Sequence, residues 1–562
     1  MAGAILTPSA IWGQFNIDGV VTAEITGETK SGEVVFTDLY IDGRKTVDGG
    51  VKIYGVLAKS VQASVSPAIL LVQDFNSGID KRLMTVLVNA GYSVLSIDVA
   101  GYNENKDNFT VYPDSIEYAH YQNVKDNLFE VGDSVYKTCW YEWTAAARYA
   151  LKYLSDQPFV TKIGGIGVGE AATVMWQVAG TDSLLSGAVF ALNAGWAGYR
   201  GKFKFDGTVE QQFSDNMYKF IAGIEPQAYA MHVNCPTLVL TATNSNVYDC
   251  DRAFDTITHI KDGVFSAVNY SVGYRTEISS AAFKSALVFL DQVLYREESK
   301  TLPECPEIKC DAVDGKLEIS VGVEKNGLSE LAIYVAEEKT NPSLRSWHKI
   351  TDGKEIEGKV VFKYNPFNQS GLITAFAQAT YKNGLQIGSK VIAKHFEEND
   401  VKPIYKSSII YSSREKNAHS VFAASDYAQT EFDGIDTDGE LNVTVKKGPM
   451  YIEGVTSKYG LLTFKCCSKK NRPSDDAILM FDVYAKEKAV LTVKLIKDYF
   501  GQKVEYLSSV NLLGGDVWHN VKLTINRFKT AEGMALKSYE NIDAIEFNVQ
   551  GVKYLINNAL WV

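Results

Sequence analysis

The glycine-rich segment 165–169, which reads GIGVG, comes nearest in this sequence to a catalytic motif. It ends an apolar run, Lys162–Gly167, and precedes a helical pattern that begins near Glu170. A G-x-S-x-G turn between a strand and a helix exposes a serine hydroxyl that can attack an ester carbonyl. Here the central position is Gly167, which has no side chain and cannot act as a nucleophile.

The segments around this turn alternate between strand and helix patterns. Short apolar runs at Pro67–Gln73 and Tyr92–Val99 flank a helical stretch, Lys81–Ala90, and further runs follow at Gly187–Asn193 and Pro236–Thr241. Continuous apolar strands separated by helices are typical of a mostly parallel sheet that is covered on both faces. The sequence therefore predicts an α/β fold for this region.

The order of the segments PAILLVQ, YSVLSIDV followed by AGY, and IGGIGVG resembles that of acetyl-xylan esterases, dienelactone hydrolases and other members of the α/β-hydrolase superfamily. The resemblance covers about half the chain. In that family an acid follows a late strand, and here the segment LTATNSNV places Ser245 at that position. The family's histidine base precedes the closing helix, where YSVGYRTEISS leaves Gly273, Tyr274 or Arg275.

Other side chains bear on the loss of this triad. Asp249 and Asp251 lie near the acid position and could substitute for it. The turn that would stabilise an oxyanion contains Asp74, whose carboxylate would oppose a developing negative charge if it points inward. Three histidines precede residue 300, and none falls in the expected loop: they are His120, His232 and His259.

A triad works only when its three members lie within hydrogen-bond reach. We therefore interpret the chain as a non-catalytic pseudo-esterase that binds a glycan or a protein and serves as a scaffold or structural protein. Its strand edges could also pair between chains, so that it could self-assemble into homo-oligomers. The alternative is a carbohydrate esterase, a carboxylic ester hydrolase, with an unconventional nucleophile.

Several aromatic and polar side chains could line a cleft for sugar rings, because flat aromatic faces and hydrogen-bonding groups recognise sugars. The main candidates are His120, Trp196, Tyr199, Arg200, Tyr499 and Trp518. Further candidates near the C-terminus are Tyr451, Tyr459 and Phe500. Packing within a core is the other interpretation for each of them.

Other chemistries find less support. Residues 167–172, GVGEAA, match a dinucleotide fingerprint, but they lie several strands into the region and not in a first strand–helix unit. The seven cysteines lack the spacing and the nearby histidines of a zinc site, and a Cys305–Cys310 disulfide remains open if the protein is secreted. No cofactor and no metal is expected. The net charge of −11 without a dense Lys/Arg run argues against nucleic acid.

The rest of the chain has strand patterns. Residues 305–395 predict an immunoglobulin-like β-sandwich, and residues 404–562 resemble jelly-roll carbohydrate-binding modules. Before them we expect an N-terminal β extension at 1–50 and the α/β-hydrolase-like region at 51–300. The N-terminal segment has neither a basic region nor a long apolar stretch, which predicts a cytoplasmic protein without a membrane anchor. The alternative is an extracellular protein, if a leader was removed or export is non-classical.

Overall fold

The structure is a computed structural model of the chain. It describes residues 4–73, 75–76, 78–207, 211–245, 247–274, 277–295, 302–367, 371–397, 407–414, 418–425, 434–435, 443–458, 460–549 and 551–562. Asp74, Arg275 and Tyr459, which the sequence singled out, lie outside the described residues.

The first part of the chain alternates strands and helices. Its strands are β1 (Ala23–Ser31), β2 (Val34–Lys45), β3 (Gly50–Ser60), β4 (Ser66–Val72), β5 (Ser93–Ile97), β6 (Val160–Val168), β7 (Leu185–Ala191), β8 (Thr237–Ala242) and β9 (Ser266–Ser271). Its helices are α1 (Pro8–Trp12), α2 (Lys81–Asn89), α3 (Tyr121–Val124), α4 (Cys139–Ser155), α5 (Ala171–Thr181), α6 (Asp215–Gly223), α7 (Pro226–Ala230), α8 (Cys250–Ile257) and α9 (Ser280–Leu294).

These strands form one sheet in the order β1-β2-β3-β5-β4-β6-β7-β8-β9. The pairs among β1, β2, β3 and β5 are antiparallel, whereas every neighbouring pair from β5 through β4 to β9 is parallel. The predicted mostly parallel sheet is confirmed. Because β2 pairs with β3 from Val34 to Lys45, part of the segment 1–50 lies in the same sheet as the region that follows it.

Strand β4 shows why the parallel strands have continuous apolar sequences. Ala68, Leu70 and Val72 pack in the layer that contains α4 and α5, and Ile69 and Leu71 pack in the opposite layer with α2 and α9. All five side chains have no solvent exposure. A strand that is buried on both faces cannot alternate polar with apolar residues.

Side-chain caps define where several of the covering helices begin. The Asp80 carboxylate accepts hydrogen bonds from the backbone N–H groups of Arg82 and Leu83 at the start of α2. The Ser279 hydroxyl oxygen accepts one from the N–H of Ala282 at the start of α9. Such caps satisfy donors that have no partner within the helix.

The middle part of the chain is a β-sandwich. Its strands are β10 (Glu307–Val313), β11 (Lys316–Gly322), β12 (Leu328–Glu337), β13 (His348–Ile350), β14 (Lys354–Ile356), β15 (Lys359–Tyr364), β16 (Gly371–Tyr381), β17 (Gln386–Gly388) and β18 (Ile392–Phe396). One sheet has the order β10-β11-β15-β14, and the other has the order β17-β16-β12-β13 with β18 on β16.

The second sheet of this middle sandwich continues the sheet of the α/β domain. Gly388 on β17 pairs with Val268 on β9, which gives a sheet of 14 strands within the described residues. A Cβ atom at Gly388 would lie 2.5 Å from the Tyr270 ring, so only glycine allows this approach. The Tyr270 hydroxyl also donates to the Ser389 carbonyl at 2.9 Å. A continuous sheet therefore joins the middle sandwich to the α/β domain.

The last part of the chain is a second sandwich. Its strands are β19 (Ile409–Tyr411), β20 (Ala423–Ala424), β21 (Val443–Lys447), β22 (Glu453–Ser457), β23 (Leu461–Thr463), β24 (Leu479–Ala485), β25 (Ala489–Lys497), β26 (Val504–Leu512), β27 (Trp518–Leu523), β28 (Ile542–Val549) and β29 (Tyr554–Trp561). One sheet has the order β21-β22-β29-β24-β27 with β19 on β29, and the facing sheet has the order β20-β23-β28-β25-β26.

All seven cysteines are free thiols, so Cys305 and Cys310 do not pair. In the described part of the chain, no helix combines the length and the apolarity that crossing a membrane requires.

Candidate functional site

A cavity of about 350 Å³ lies at the carboxyl edge of the parallel strands, and we call it the cleft. Ligands of open α/β sheets bind at this edge, where loops from neighbouring strands converge. The loops after β6, β7 and β8 form most of its wall. Residues 341–343 of the middle sandwich and Phe500 of the C-terminal sandwich complete it.

The sharp turn from β6 into α5 lies two residues after the position that the sequence suggested. Gly169 adopts the left-handed conformation, with φ of 63°, between the end of β6 and the start of α5. Gly167 still belongs to β6, and a Cβ atom there would lie 2.6 Å from Met175 Cβ and 2.7 Å from Ala172 Cα. The sharp turn that would expose a nucleophile is therefore centred on Gly169 and not on Gly167. Neither residue has a side chain.

The acid position is occupied by a residue that stabilises its own loop. Ser245 follows β8, and its hydroxyl oxygen accepts hydrogen bonds from the N–H groups of Val247 at 3.2 Å and Tyr248 at 3.1 Å. Its carbonyl accepts a hydrogen bond from the Ser343 hydroxyl at 3.2 Å. Ser245 lines the cleft, but its polar atoms hold the backbone.

The two nearby aspartates are engaged as well. Asp249 caps α8 through the N–H groups of Asp251 and Arg252 and forms an ion pair with the Arg252 guanidinium. Asp251 accepts two hydrogen bonds from Arg345 of the middle sandwich, at 2.6 and 2.7 Å, and neither side chain has any exposure. Both carboxylates are therefore already engaged within the chain, Asp249 by its own helix and Asp251 by Arg345.

The loop where a histidine base would lie contacts the C-terminal sandwich. Tyr274 is 2% exposed, and its ring centroid lies 5.6 Å from that of Phe464. Burial raises the pKa of the Tyr274 hydroxyl well above its ordinary value. The Tyr499 ring also packs against Phe464, with ring centroids 4.9 Å apart. The position of the base has become part of a docking contact between domains.

Three of the proposed binding residues do not line the cleft. His120 is held within the loop after β5, where its Nδ1 accepts a hydrogen bond from the Tyr102 N–H at 2.8 Å. Tyr499 belongs to the buried contact with Phe464. Trp518 lies on β27, and its indole N–H donates to the Pro449 carbonyl at 3.2 Å. Their residue types suited sugar binding, but their positions in the fold exclude them from this site.

The other three candidates, Trp196, Tyr199 and Arg200, meet in the cleft on the loop after β7. Trp196 has a left-handed backbone with φ of 70°, and its N–H donates to the buried Glu225 carboxylate at 2.5 Å. The Gly198 N–H donates to the same carboxylate at 3.1 Å. Convergent N–H groups of this kind form an anion-binding concavity, which here organises the loop around Glu225.

Arg200 links opposite walls of the cleft. It forms an ion pair with Glu170, the residue after the turn, and its guanidinium carbon lies 4.6 Å from the centroid of the Phe129 ring. The Asn193 side-chain amide donates to Thr173 at 3.1 Å and to Glu170 at 3.4 Å. These contacts fix the polar groups before any ligand arrives.

Sequence reasoning missed several residues of this wall. They are Phe129, Glu170 and Glu225. Phe129 and Glu225 lie on connections between helices, where no local pattern marks them. Of the further aromatic candidates near the C-terminus, Phe500 lines the cleft and Tyr451 does not. Glu170 directly follows the glycine-rich turn and could have been found from that proximity.

The lining residues of the described cleft include neither histidine nor cysteine. The described residues also contain no group of three or more His, Cys, Asp or Glu side chains that could hold a metal ion. Within these limits the arrangement offers no nucleophile paired with a base. It offers aromatic faces next to hydrogen-bonding groups.

No protein-family model matches this chain, and no curated protein matches it. Among solved structures it is similar to an acetyl xylan esterase from Paenibacillus sp. R4, with a TM-score of 0.39 and 16% identity over 51% of this chain and 92% of the other. A second is acetyl xylan esterase 1 from a Thermoanaerobacterium species, with a TM-score of 0.34 and 16% identity over 48% of this chain and 89% of that one.

A third similar structure is a putative dienelactone hydrolase from Klebsiella pneumoniae, with a TM-score of 0.28 and 14% identity over 45% of this chain and 85% of that one. The chain itself has a mostly parallel α/β sheet followed by two β-sandwiches. At these scores the similarity says nothing about activity.

Proposed function

We propose that this protein is a non-catalytic relative of carbohydrate esterases that binds a saccharide in the cleft. One observation carries the proposal: the cleft occupies the edge of the sheet where esterase chemistry would take place, yet the three triad positions hold Gly169, Ser245 and Tyr274. The binding surface is present without the reactive groups.

The argument against catalysis concerns the whole triad and not a single residue. An acyl transfer needs a nucleophile, a base that accepts its proton and a group that orients the base. Here Gly169 at the turn has no side chain, and Ser245 at the acid position stabilises its own loop. Tyr274 at the base position is buried against the C-terminal sandwich. Restoring any one of these groups would not restore the other two.

The argument for a saccharide comes from the lining of the cleft. Seven aromatic side chains contribute to it: Phe129, Trp196, Tyr199, Phe203, Phe220, Tyr248 and Phe500. Next to them lie the Asn193 amide and the ion pair of Glu170 with Arg200, which offer acceptors and donors with little net charge. Sugar rings present C–H faces to aromatic rings and hydroxyl groups to such polar side chains.

The size of the cleft favours a small molecule over a protein. Its volume of about 350 Å³ falls at the lower end of the range of roughly 300–1,000 Å³ for small-molecule sites. A protein partner would bind to a broader and flatter surface.

The test has a catalytic arm and a binding arm. The full chain should not hydrolyse p-nitrophenyl acetate or acetylated xylan, and a fluorophosphonate probe should not label it. A glycan array followed by calorimetry should identify a bound saccharide. Turnover with probe labelling would instead favour the alternative, a carbohydrate esterase with an unconventional nucleophile.

Phe500→Ala is the variant that tests the location of binding. Losing one aromatic contact should weaken saccharide binding by about two- to tenfold. Tyr451→Ala is the matched control, because Tyr451 is an aromatic residue of the same sandwich, is 85% exposed and lies outside the cleft. Equal weakening by both variants would contradict binding in the cleft.

A further inference from the structure

A second cavity, of about 260 Å³, lies where the middle sandwich meets the C-terminal sandwich, and we call it the seam cavity. The middle sandwich contributes Lys339, Ser346 and Trp347 to its wall. The C-terminal sandwich contributes Lys465 and Lys470, among others. It shares no lining residue with the cleft.

The wall of the seam cavity is positively charged although the chain has a net charge of −11. Three lysines line it, and all three are half-buried. The Lys465 ammonium donates to the Ile410 carbonyl at 2.8 Å. Within the described part of the chain, the ammonium groups of Lys339 and Lys470 form no ion pair and no hydrogen bond.

One carboxylate, that of Glu337, lies in this wall, so its charge balances only one of the three ammonium groups. Glu337 accepts a hydrogen bond from the Tyr364 hydroxyl at 2.6 Å and others from the Phe367 N–H, the shorter at 2.9 Å. Burial, followed by the nearby Glu337 charge, raises the pKa of the Tyr364 hydroxyl far above its ordinary value. The carboxylate is therefore committed to the middle sandwich.

The cavity wall also offers neutral donors. Trp347 is 4% exposed, and its indole N–H has no acceptor among the described residues. Four serines line the cavity as well: Ser346, Ser407, Ser420 and Ser468. Buried donors in native proteins almost always have an acceptor, so a donor-rich cavity with unpaired ammonium groups indicates an acceptor that comes from outside the chain.

We propose that the seam cavity binds a small molecule that carries a tetrahedral oxyanion, a phosphate or sulfate group, and thereby bridges the two sandwiches. Such a group has several acceptor oxygens and accepts short, strong hydrogen bonds from ammonium groups. At about 30 Å³ for each water molecule, the cavity has space for roughly nine waters, which is enough for a sugar-sized ester.

The test uses the full chain, inorganic phosphate, inorganic sulfate and glucose 6-phosphate, with glucose as the uncharged comparison. Calorimetry should show binding of at least one of the three anions and none of glucose at the same site. Binding should weaken as the salt concentration rises. Glucose 6-phosphate binding more tightly than inorganic phosphate would support an ester ligand, and the reverse would support the free ion.

Lys339→Gln and Lys470→Gln should each weaken anion binding by about tenfold or more, because each removes a charged donor. Lys469→Gln is the matched control: Lys469 is the exposed neighbour of Lys470 and does not line the cavity. Without anion, both cavity variants should melt at the same temperature as the unmodified chain or higher, because an uncompensated charge has been removed.

Absence of binding for all three anions at millimolar concentration would overturn the proposal. So would equal weakening by Lys469→Gln, which would indicate a general charge effect. The anion result is separate from the proposed function, because the seam cavity and the cleft share no lining residue.

Discussion

The buried ion pair between Asp251 and Arg345 should dominate the attachment of the middle sandwich to the α/β domain. The guanidinium donates to both carboxylate oxygens, at 2.6 and 2.7 Å, and also to the carbonyls of Lys339 at 3.0 Å and Thr340 at 2.8 Å. Neither charged side chain has any exposure. The perturbation that tests this contact is Arg345→Met.

Arg345→Met leaves the Asp251 carboxylate buried without its counter-charge. Removing one partner of a buried ion pair costs about 3–5 kcal/mol of folding free energy, because the remaining charge is neither solvated nor paired. The matched control is Lys325→Met, which breaks an ion pair with Glu355 whose side chains are 44% and 64% exposed. Pairs of that kind contribute about 0–1 kcal/mol.

The assay is urea denaturation followed by tryptophan fluorescence and by far-ultraviolet circular dichroism, since coincidence of the two signals tests for a two-state transition. The double variant Asp251→Asn with Arg345→Met should recover part of the loss, because the lone carboxylate has been neutralised. A loss below about 1 kcal/mol for Arg345→Met, or no recovery in the double variant, would refute the reasoning.

Three further predictions concern single residues. Gly169→Ser should lower the free energy of unfolding by about 1–2 kcal/mol, because a Cβ atom disfavours the left-handed backbone. The same variant should have no esterase activity, and turnover of p-nitrophenyl acetate would contradict this. Burial raises the pKa of the Glu225 carboxyl above its ordinary 4.5, so the folded chain binds this proton more tightly than the unfolded chain and stability falls as pH rises through the folded pKa. Above pH 4.5 the unfolding free energy of the unmodified chain should therefore fall relative to that of Glu225→Gln. A difference between the two that does not vary with pH would exclude this effect. Burial lowers the pKa of His120 below 6.5, so the unfolding free energy should decrease as pH falls from 6.5 through the folded pKa. The variant His120→Asn should lack this decrease. Identical pH profiles of the two chains would disprove the prediction.

The local elements could be predicted from the sequence with small errors in their bounds. The apolar run Pro67–Gln73 is β4 at Ser66–Val72, and the helical stretch Lys81–Ala90 is α2 at Lys81–Asn89. Such patterns involve only residues that are close in sequence. A strand buried on both faces requires a continuous apolar run, and a helix buried on one face requires apolar residues at every third or fourth position.

The position of the turn after β6 could not be predicted in the same way. Three glycines alternate at 165, 167 and 169, and any of them can adopt a positive φ. Only the packing of α5 against β6 distinguishes them, because Ala172 and Met175 leave no space for a Cβ atom at Gly167. The sequence placed the turn at Gly167 for this reason, whereas the positive φ occurs at Gly169.

The sequence by itself determined that the chain has an α/β sheet followed by strand-rich domains and that glycines alternate at 165, 167 and 169 before a helix. Both properties are local and can be read from apolar periodicity and from residue types. Only the tertiary structure decided that Glu225 organises the loop of Trp196, that Phe500 closes the cleft and that Tyr274 anchors another domain. Those contacts join segments that are distant along the chain. Their free energy depends on tertiary packing and charge pairing, which cannot be inferred from residues that are neighbours in sequence.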